Sequence, residues 1–327
     1  MENLLVSWQE FLRGKRKRQD VAEFSVNFMD NIVKIRNELL LKTYAHGGYQ
    51  AFKINDPKPR DIHKANVYDR LVHRAIYRIL YPYFDRKFIF DSYSCRNKKS
   101  THRAICRLVD FSRKVSKNNT RNCWILKCDI RKFFANIDHK ILKSILAKNI
   151  GDADVLWLLA QIIDSFNSAG KNDVGLPLGN LTSQLLVNIY MNEFDHFMKR
   201  KLKVKYYIRY ADDFVIFSEN KNYLEELVGK ISEYLESNLS LSLHPDKLFI
   251  KTLNSGVDFL GWVNFSDHRV LRTATKKRMM RRIEENPEEA TVNSYLGMLK
   301  HGNARKLVAG ILEKMDVDDS VIPHLKI

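Results

Sequence analysis

Two aspartates stand side by side in YIRYADDFVIF (207–217), between stretches rich in aromatic and β-branched residues that read as buried strand. Two carboxylates about 4 Å apart repel by roughly 1 kcal/mol in water and about 4 kcal/mol at a partly buried site, so Asp212 and Asp213 need a compensating charge. A divalent cation supplies one. An exposed hairpin tip, where aspartate is common, removes the need, and this stretch alone fits both. A third acid, Asp129, ends the apolar run WILKCD (124–129), where it could equally cap the turn that follows. Taken together, two acidic sites at strand ends, joined through a helix, can lie on neighbouring strands of one sheet. There they can hold two Mg²⁺ ions about 4 Å apart and stabilise the attacking and leaving oxygens of a phosphoryl transfer.

The elements that must position these acids can be read from pattern. Residues 1–45 are mainly helical, interrupted by the basic block RGKRKR (13–18). FKINDPKPRDI (52–62), with Pro57 and Pro59, reads as a strand with a tight connection. Val67, Leu71, Ala75 and Leu80 recur near helical period, which predicts an amphipathic helix over 66–84. NCWILKCDIRKFF (122–134) reads as a strand running into a short turn, followed by a helix from about His139. A glycine-bearing loop opens a helix within 175–202, a hairpin follows over 204–217, and 222–239 is strongly amphipathic. Short strands then lead to a basic, helical stretch from about Thr273. Helices alternating with strands around an antiparallel hairpin predict an α+β architecture.

The chain has 327 residues, 45% hydrophobic and 28% charged, enough for one large or two to three small cores and unlike a disordered chain. Lysine and arginine outnumber the acids 55 to 38, giving +17, and the excess comes in blocks: RGKRKR, KRKLKVK (199–205) and KKRMMRR (276–282). Such blocks favour a polyanion partner, nucleic acid first. The four cysteines form no Cys-x-x-Cys pair and have no histidine at zinc spacing, so reduced thiols in a cytoplasm are expected. The longest apolar run, VLWLLAQII (155–163), is far below the ~20 residues of a membrane span, and the N-terminus lacks a signal pattern. A cytoplasmic protein without a membrane partner is expected.

From about residue 50 to 275 the chain resembles a reverse transcriptase, with seven segments in family order. KPRDIHKANVYDRLVHRAI (58–76) resembles the fingers segment, and SYSCRNKKSTHRAI (92–105) the stretch that follows it. LKCDIRKFFANIDH (126–139) resembles the palm strand with its first aspartate, and GLPLGNLTSQLLVNIYMNEFD (175–195) the loop and helix that contact template and nucleotide. YADD resembles the catalytic hairpin, LSLHPDK (241–247) the lysine-bearing palm segment and VDFLGW (257–262) the primer grip.

The resemblance implies a right-hand polymerase fold: an N-terminal helical extension (1–50), fingers and palm (51–262) and a short, basic, helical thumb (263–327). It implies catalytic Asp129, Asp212, Asp213 and Lys247, with Asp129, Ile130, Asp212 and Asp213 at two Mg²⁺ ions for which Mn²⁺ can substitute. Arg60, Arg96, Ile130, Phe134, Leu178, Gly179 and Gln184 fall at the nucleotide, and Phe259, Leu260 and Gly261 at the primer grip. Lys247 corresponds to a lysine that protonates the leaving pyrophosphate, and Phe134 to a ring that excludes a ribose 2′-hydroxyl. Read without the family, Arg60 and Arg96 fit surface ion pairs, Phe134 fits core packing beside Phe133, and Lys247 fits a solvated rim. The implied partners are template RNA, primer, the cDNA/RNA hybrid and deoxynucleoside triphosphates.

Within the family, Leu178 stands where many members have glutamine, and Gln184 where many have proline. That combination resembles the reverse transcriptases of diversity-generating retroelements, which copy a template RNA with errors at adenine and work with a small basic barrel-forming accessory protein. Compact antiphage-defence or orphan enzymes are the alternative. A catalytically dead polymerase fold kept as an RNA-binding scaffold would show the same basic surface. The complete aspartate set together with Lys247 speaks for catalysis instead.

Overall fold

The structure is a computed structural model that describes residues 1–55 and 59–314. Pro57, in the connection expected within 52–62, and the end of the expected thumb from residue 315 lie outside the described residues. The chain divides into two units. One comprises Met1–Lys98, Cys128–Phe214 and Leu227–Leu248; the other comprises Lys99–Lys127, Val215–Glu226 and the chain from Phe249 onward.

In the first unit three helices, α1 (Glu2–Phe11), α2 (Gln19–Val26) and α3 (Phe28–Leu40), precede the hairpin β1 (Tyr49–Ile54) and β2 (Arg60–Ala65). The segment read as one strand with a connection is therefore two strands, in antiparallel register with Ile54 opposite Arg60. Helix α4 (Val67–Asp85) starts where Asn66 Oδ1 accepts from Asp69 N at 2.8 Å. It buries Val67, Leu71, Val72 and Ala75 against Leu4, Trp8, Phe11 and Ile32 of the N-terminal helices. A polar knot closes that seam: Tyr44 OH and Gly47 N both donate to the buried Asp69 carboxylate, at 2.7 and 3.0 Å. Farther along the chain this unit adds α6 (His139–Asn149), α7 (Ala153–Asp164) and α8 (Leu181–His196). Asp138 caps α6, accepting from Ile141 N at 2.9 Å.

The second unit carries α5 (Thr101–Val115), begun by Ser100 Oγ accepting from Arg103 N at 3.2 Å. Strand β3 (Trp124–Asp129) starts in this unit and ends in the first. Strand β4 (Tyr207–Tyr210) follows α8 in the first unit, β5 (Asp213–Ser218) and α9 (Lys221–Leu239) each have residues in both units, and β6 (Phe249–Thr252) belongs to the second. These strands pair in the order β4–β5–β3–β6, and β3 and β6 are antiparallel with Trp124 opposite Thr252. Strands β7 (Val257–Phe259), β8 (Trp262–Asn264) and β9 (Arg269–Leu271) form a separate antiparallel sheet, and α10 (Thr273–Glu285), α11 (Glu289–Leu299) and α12 (Arg305–Lys314) follow. Trp262, Leu271, Met279, Ile283, Leu296, Leu299 and Ile311 share one core with Ile105 of α5. Mixed helices and antiparallel sheets make the α+β class expected of a polymerase.

Gly302 shows how tightly that core closes, because a Cβ built there would lie 2.0 Å from Trp262 Cζ3. Gly302→Ala is expected to cost about 1–3 kcal/mol and lower the thermal midpoint by several degrees. Gly297→Ala, inside α11 where a Cβ meets nothing within 4 Å, is the control and is expected to hold or raise it. Equal midpoints for the two variants would show that the turn at residue 302 does not press on Trp262.

Among the described residues no helix is long and apolar enough to cross a membrane, and all four cysteines are free thiols.

Candidate active site

The chain enters the site at the end of β3, where the backbone is clamped from two sides. Ile130 N donates to Asp212 O at 3.2 Å, Arg131 N to Ser242 O at 2.9 Å and His244 N to Asp129 O at 2.8 Å. Ile130 itself bridges Leu243, and its side chain is buried, so what it can present to a ligand is its main-chain carbonyl. The β4–β5 connection is a tight turn whose first residue, Ala211, has φ +56°, a left-handed conformation uncommon for a residue with a Cβ. This turn presents Asp212, with Asp213 opening β5.

Lys247, in the short 3₁₀ turn Pro245–Lys247, donates from Nζ to Asp129 Oδ1 at 2.7 Å. The structure thus joins the first aspartate to the lysine across 118 residues of sequence. The Asp212 carboxyl is pushed up to about 6, first by burial and then by the negative charges of Asp129 and Asp213, against the opposing pull of its own backbone hydrogen bond and of Lys247. Those causes identify the cluster as one short of positive charge.

Three carboxylates and a carbonyl are hard oxygen donors, the kind that Mg²⁺ or Mn²⁺ takes. Among the described residues no three His, Cys, Asp or Glu groups stand together as a metal cage. The donors fit a divalent cation in kind, and the Lys247 ammonium gives Asp129 a positive partner. Next to it Arg131, Lys132, His244, Pro245, Asp246 and Lys247 line an open cleft of about 510 Å³, a basic surface suited to phosphate.

Phe133 and Phe134 differ in burial. Phe133 is buried in the core, while Phe134 is only half-buried, its ring 5.6 Å from that of Phe133 at 74° and its carbonyl accepting from Leu176 N at 2.8 Å. The loop before α8 is docked on β2: Leu178 O accepts from His63 N at 3.0 Å, and Asn180 Nδ2 donates to His63 O at 2.8 Å. Gly179 is required there, with φ +108° and Ile62 Cγ2 at 2.8 Å from where a Cβ would sit. Leu178 and Gly179 therefore share a body with the hairpin of Arg60, which is exposed at the start of β2. Gln184 lies in the first turn of α8, half-buried, and its carbonyl accepts from Asn188 Nδ2 at 3.2 Å.

Arg96 is held within the fold. Its side chain is 6% exposed and is used up internally: Nε to Asp85 Oδ1 at 2.7 Å, Nη1 to Ile89 O at 2.7 Å and Ser92 O at 2.9 Å, and Nη2 to Asp85 O at 3.2 Å. A guanidinium so engaged braces the 89–96 segment. Phe259, Leu260 and Gly261 belong to the second unit, where Leu260 (φ +53°) and Gly261 (φ +87°) form the two-residue turn between β7 and β8. Phe259 is fully buried, so the turn exposes backbone more than that ring.

Arg209 was missed by sequence reasoning. It is fully buried in β4, with Nε and Nη2 on the two Asp195 carboxylate oxygens at 2.8 and 2.6 Å. Breaking such a pair costs about 3–5 kcal/mol. The signal was present: an arginine inside an otherwise apolar strand must find an acid.

The reverse transcriptase (RNA-dependent DNA polymerase) family model matches residues 53–263. Protein YkfC of Escherichia coli (strain K12) is 30% identical over 265 residues, covering 69% of this chain and 66% of its own length. The group II intron-encoded protein LtrA of Lactococcus lactis subsp. cremoris is 24% identical over 296 residues, with 69% of this chain and 47% of LtrA covered. The chain thus spans less than two thirds of each of these curated relatives. Apo telomerase from Candida tropicalis shares the fold, with a TM-score of 0.52 at 13% identity, over 72% of this chain and 50% of that one.

Proposed function

The chain belongs to the reverse transcriptase family, and from that premise we propose that it is an RNA-directed DNA polymerase making cDNA on a template RNA. The observation that carries the reading is the meeting of Asp129, the Asp212 turn and Lys247 at one end of β3. Reverse transcriptases work with divalent cations; two Mg²⁺ ions, or Mn²⁺ in their place, would activate the primer 3′-hydroxyl and neutralise the incoming triphosphate. Asp129, Asp212, Asp213 and the Ile130 carbonyl are the groups that would hold them. Lys247 would give its proton to the departing pyrophosphate. Arg60 and the basic cleft beside Lys247 would receive phosphates, Leu178, Gly179 and Gln184 the templated pair, and the 257–262 turn the primer. In this reading 1–50 is a helical extension, 51–262 fingers and palm, and 263–327 the thumb.

The narrower reading is the error-prone enzyme of a diversity-generating retroelement, acting in a prokaryotic cytoplasm with a small basic accessory protein. Leu178 and Gln184 support it. A second reading, a polymerase of the group II intron type, is supported by the likeness to LtrA. Fidelity separates them. If Leu178 withholds a polar contact from the nascent pair, discrimination opposite adenine falls, and a loss of ~1.4 kcal/mol raises errors about tenfold. Sequencing cDNA copied from a template carrying all four bases is expected to give an adenine-biased error spectrum, and Leu178→Gln is expected to reduce the bias. Uniformly low error in long cDNA would remove the retroelement reading and leave the intron-type reading beside a defence or orphan enzyme.

A further inference from the structure

Resting on the polymerase reading, we propose that Arg209 is a positioning residue for the Asp212 turn, and that it ties this turn to α8 and to the 91–96 segment. A carboxylate partner alone would account for its charge, yet the guanidinium does more. Nη2 also donates to Ser92 Oγ at 3.1 Å, and Nη1 donates to Asn188 Oδ1 at 3.3 Å and to Ala211 O at 3.1 Å. Ala211 is the left-handed residue of the turn, a conformation that persists when its surroundings hold it. Its carbonyl is held by Arg209, and the next carbonyl, that of Asp212, by Ile130 N at 3.2 Å. The backbone is thus pinned immediately before and immediately after the Asp212 side chain.

The other partners link the turn to its neighbours. Asn188 accepts from Arg209 and donates to Ser94 O at 2.9 Å and to Gln184 O at 3.2 Å, joining the first turn of α8 to the 91–96 segment. The main chain of Arg209 pairs with the same segment, its N–H donating to Asp91 O and its carbonyl accepting from Tyr93 N, both at 2.9 Å. Three segments therefore meet on one side chain, and all three lie in the first unit. Lysine could keep the charge but not the fork that reaches Asp195, Asn188 and Ala211 together.

Mn²⁺ binding to the protein, followed by electron paramagnetic resonance without primer or template, reads the carboxylates independently of synthesis. It is measured beside kcat and the thermal midpoint. Arg209→Lys is expected to weaken Mn²⁺ affinity about tenfold, with a comparable fall in kcat, while the number of sites per folded molecule stays constant. Ser92→Ala and Asn188→Ala, which leave the Asp195 pair intact, are expected to weaken it about threefold each. A merely structural role would reduce the number of competent molecules and leave the affinity of each unchanged. Unchanged affinity in the folded variants overturns the proposal, and so does a wild-type protein that binds no Mn²⁺. If Arg209→Lys does not fold, the other two variants decide by the same readout. A wild-type protein that binds Mn²⁺ in an Arg209-dependent way but makes no cDNA upholds the positioning role and counts against the polymerase reading.

Discussion

Asp129→Ala and Asp212→Ala are each expected to lower RNA-templated DNA synthesis by several orders of magnitude, because carboxylates that hold reacting oxygens through cations act as a unit. The loss is expected without loss of fold. Burial first, and then the charges of Asp129 and Asp213, raise the Asp212 carboxyl to about 6, so removing its charge relieves both desolvation and repulsion. Asp212→Asn, which preserves volume, is accordingly expected to keep or raise the thermal midpoint while failing to extend a primer. Activity and stability thus move in opposite directions, and rate assays beside melting curves read both. Near-normal synthesis in both alanine variants would remove these carboxylates from the chemistry. Asp129→Ala carries a further consequence, since it frees the Lys247 ammonium held at 2.7 Å.

Phe134→Ala is expected to admit ribonucleotides. Phe133 already supplies the buried ring of this turn, so the half-buried Phe134 is available to a sugar, and its removal opens space beside the 2′-carbon. A hydroxyl excluded by a steric clash becomes tolerated, and discrimination is expected to fall by about 10²-fold, or ~2.7 kcal/mol. Matched ribo- and deoxynucleotides compared opposite one template base give the ratio. Unchanged discrimination with intact deoxynucleotide incorporation would make Phe134 a packing residue. A melting midpoint that falls by much more than that of other half-buried large-to-small changes would say the same.

Local pattern made much of this legible. The 3.6-residue recurrence of Val67, Leu71, Ala75 and Leu80 predicted α4, because burial of one face writes itself into spacing. The helix over 222–239 and the start of the last helical region at Thr273 follow from the same logic. Asp129 and YADD could be singled out because strand ends and a tight turn leave short signatures; Lys247 stood out only through the family resemblance, and the structure brings it to Asp129. Tertiary pairing was not legible. Arg209 finds Asp195 on a helix 14 residues earlier, and Arg96 finds Asp85 and three backbone carbonyls; neither partnership has a period or spacing that pattern reading detects. For the same reason sequence did not foresee that Ile105 of α5 shares a core with Trp262 and the last helices. An arginine in a motif looks alike whether it serves a substrate or a neighbouring loop, and only its hydrogen bonds tell which.

The most direct measurement is single-nucleotide extension of a DNA primer by the wild-type protein, on a defined RNA template and on the RNA that co-purifies with it. Mg²⁺ and Mn²⁺ are supplied in turn, with a chelator as the blank. Templated addition of the complementary deoxynucleotide, abolished by the chelator and by Asp212→Asn, is the result predicted. A protein that binds both primer–template complexes yet adds no nucleotide to either, in either cation, would contradict it and leave a polymerase fold serving as an RNA-binding scaffold.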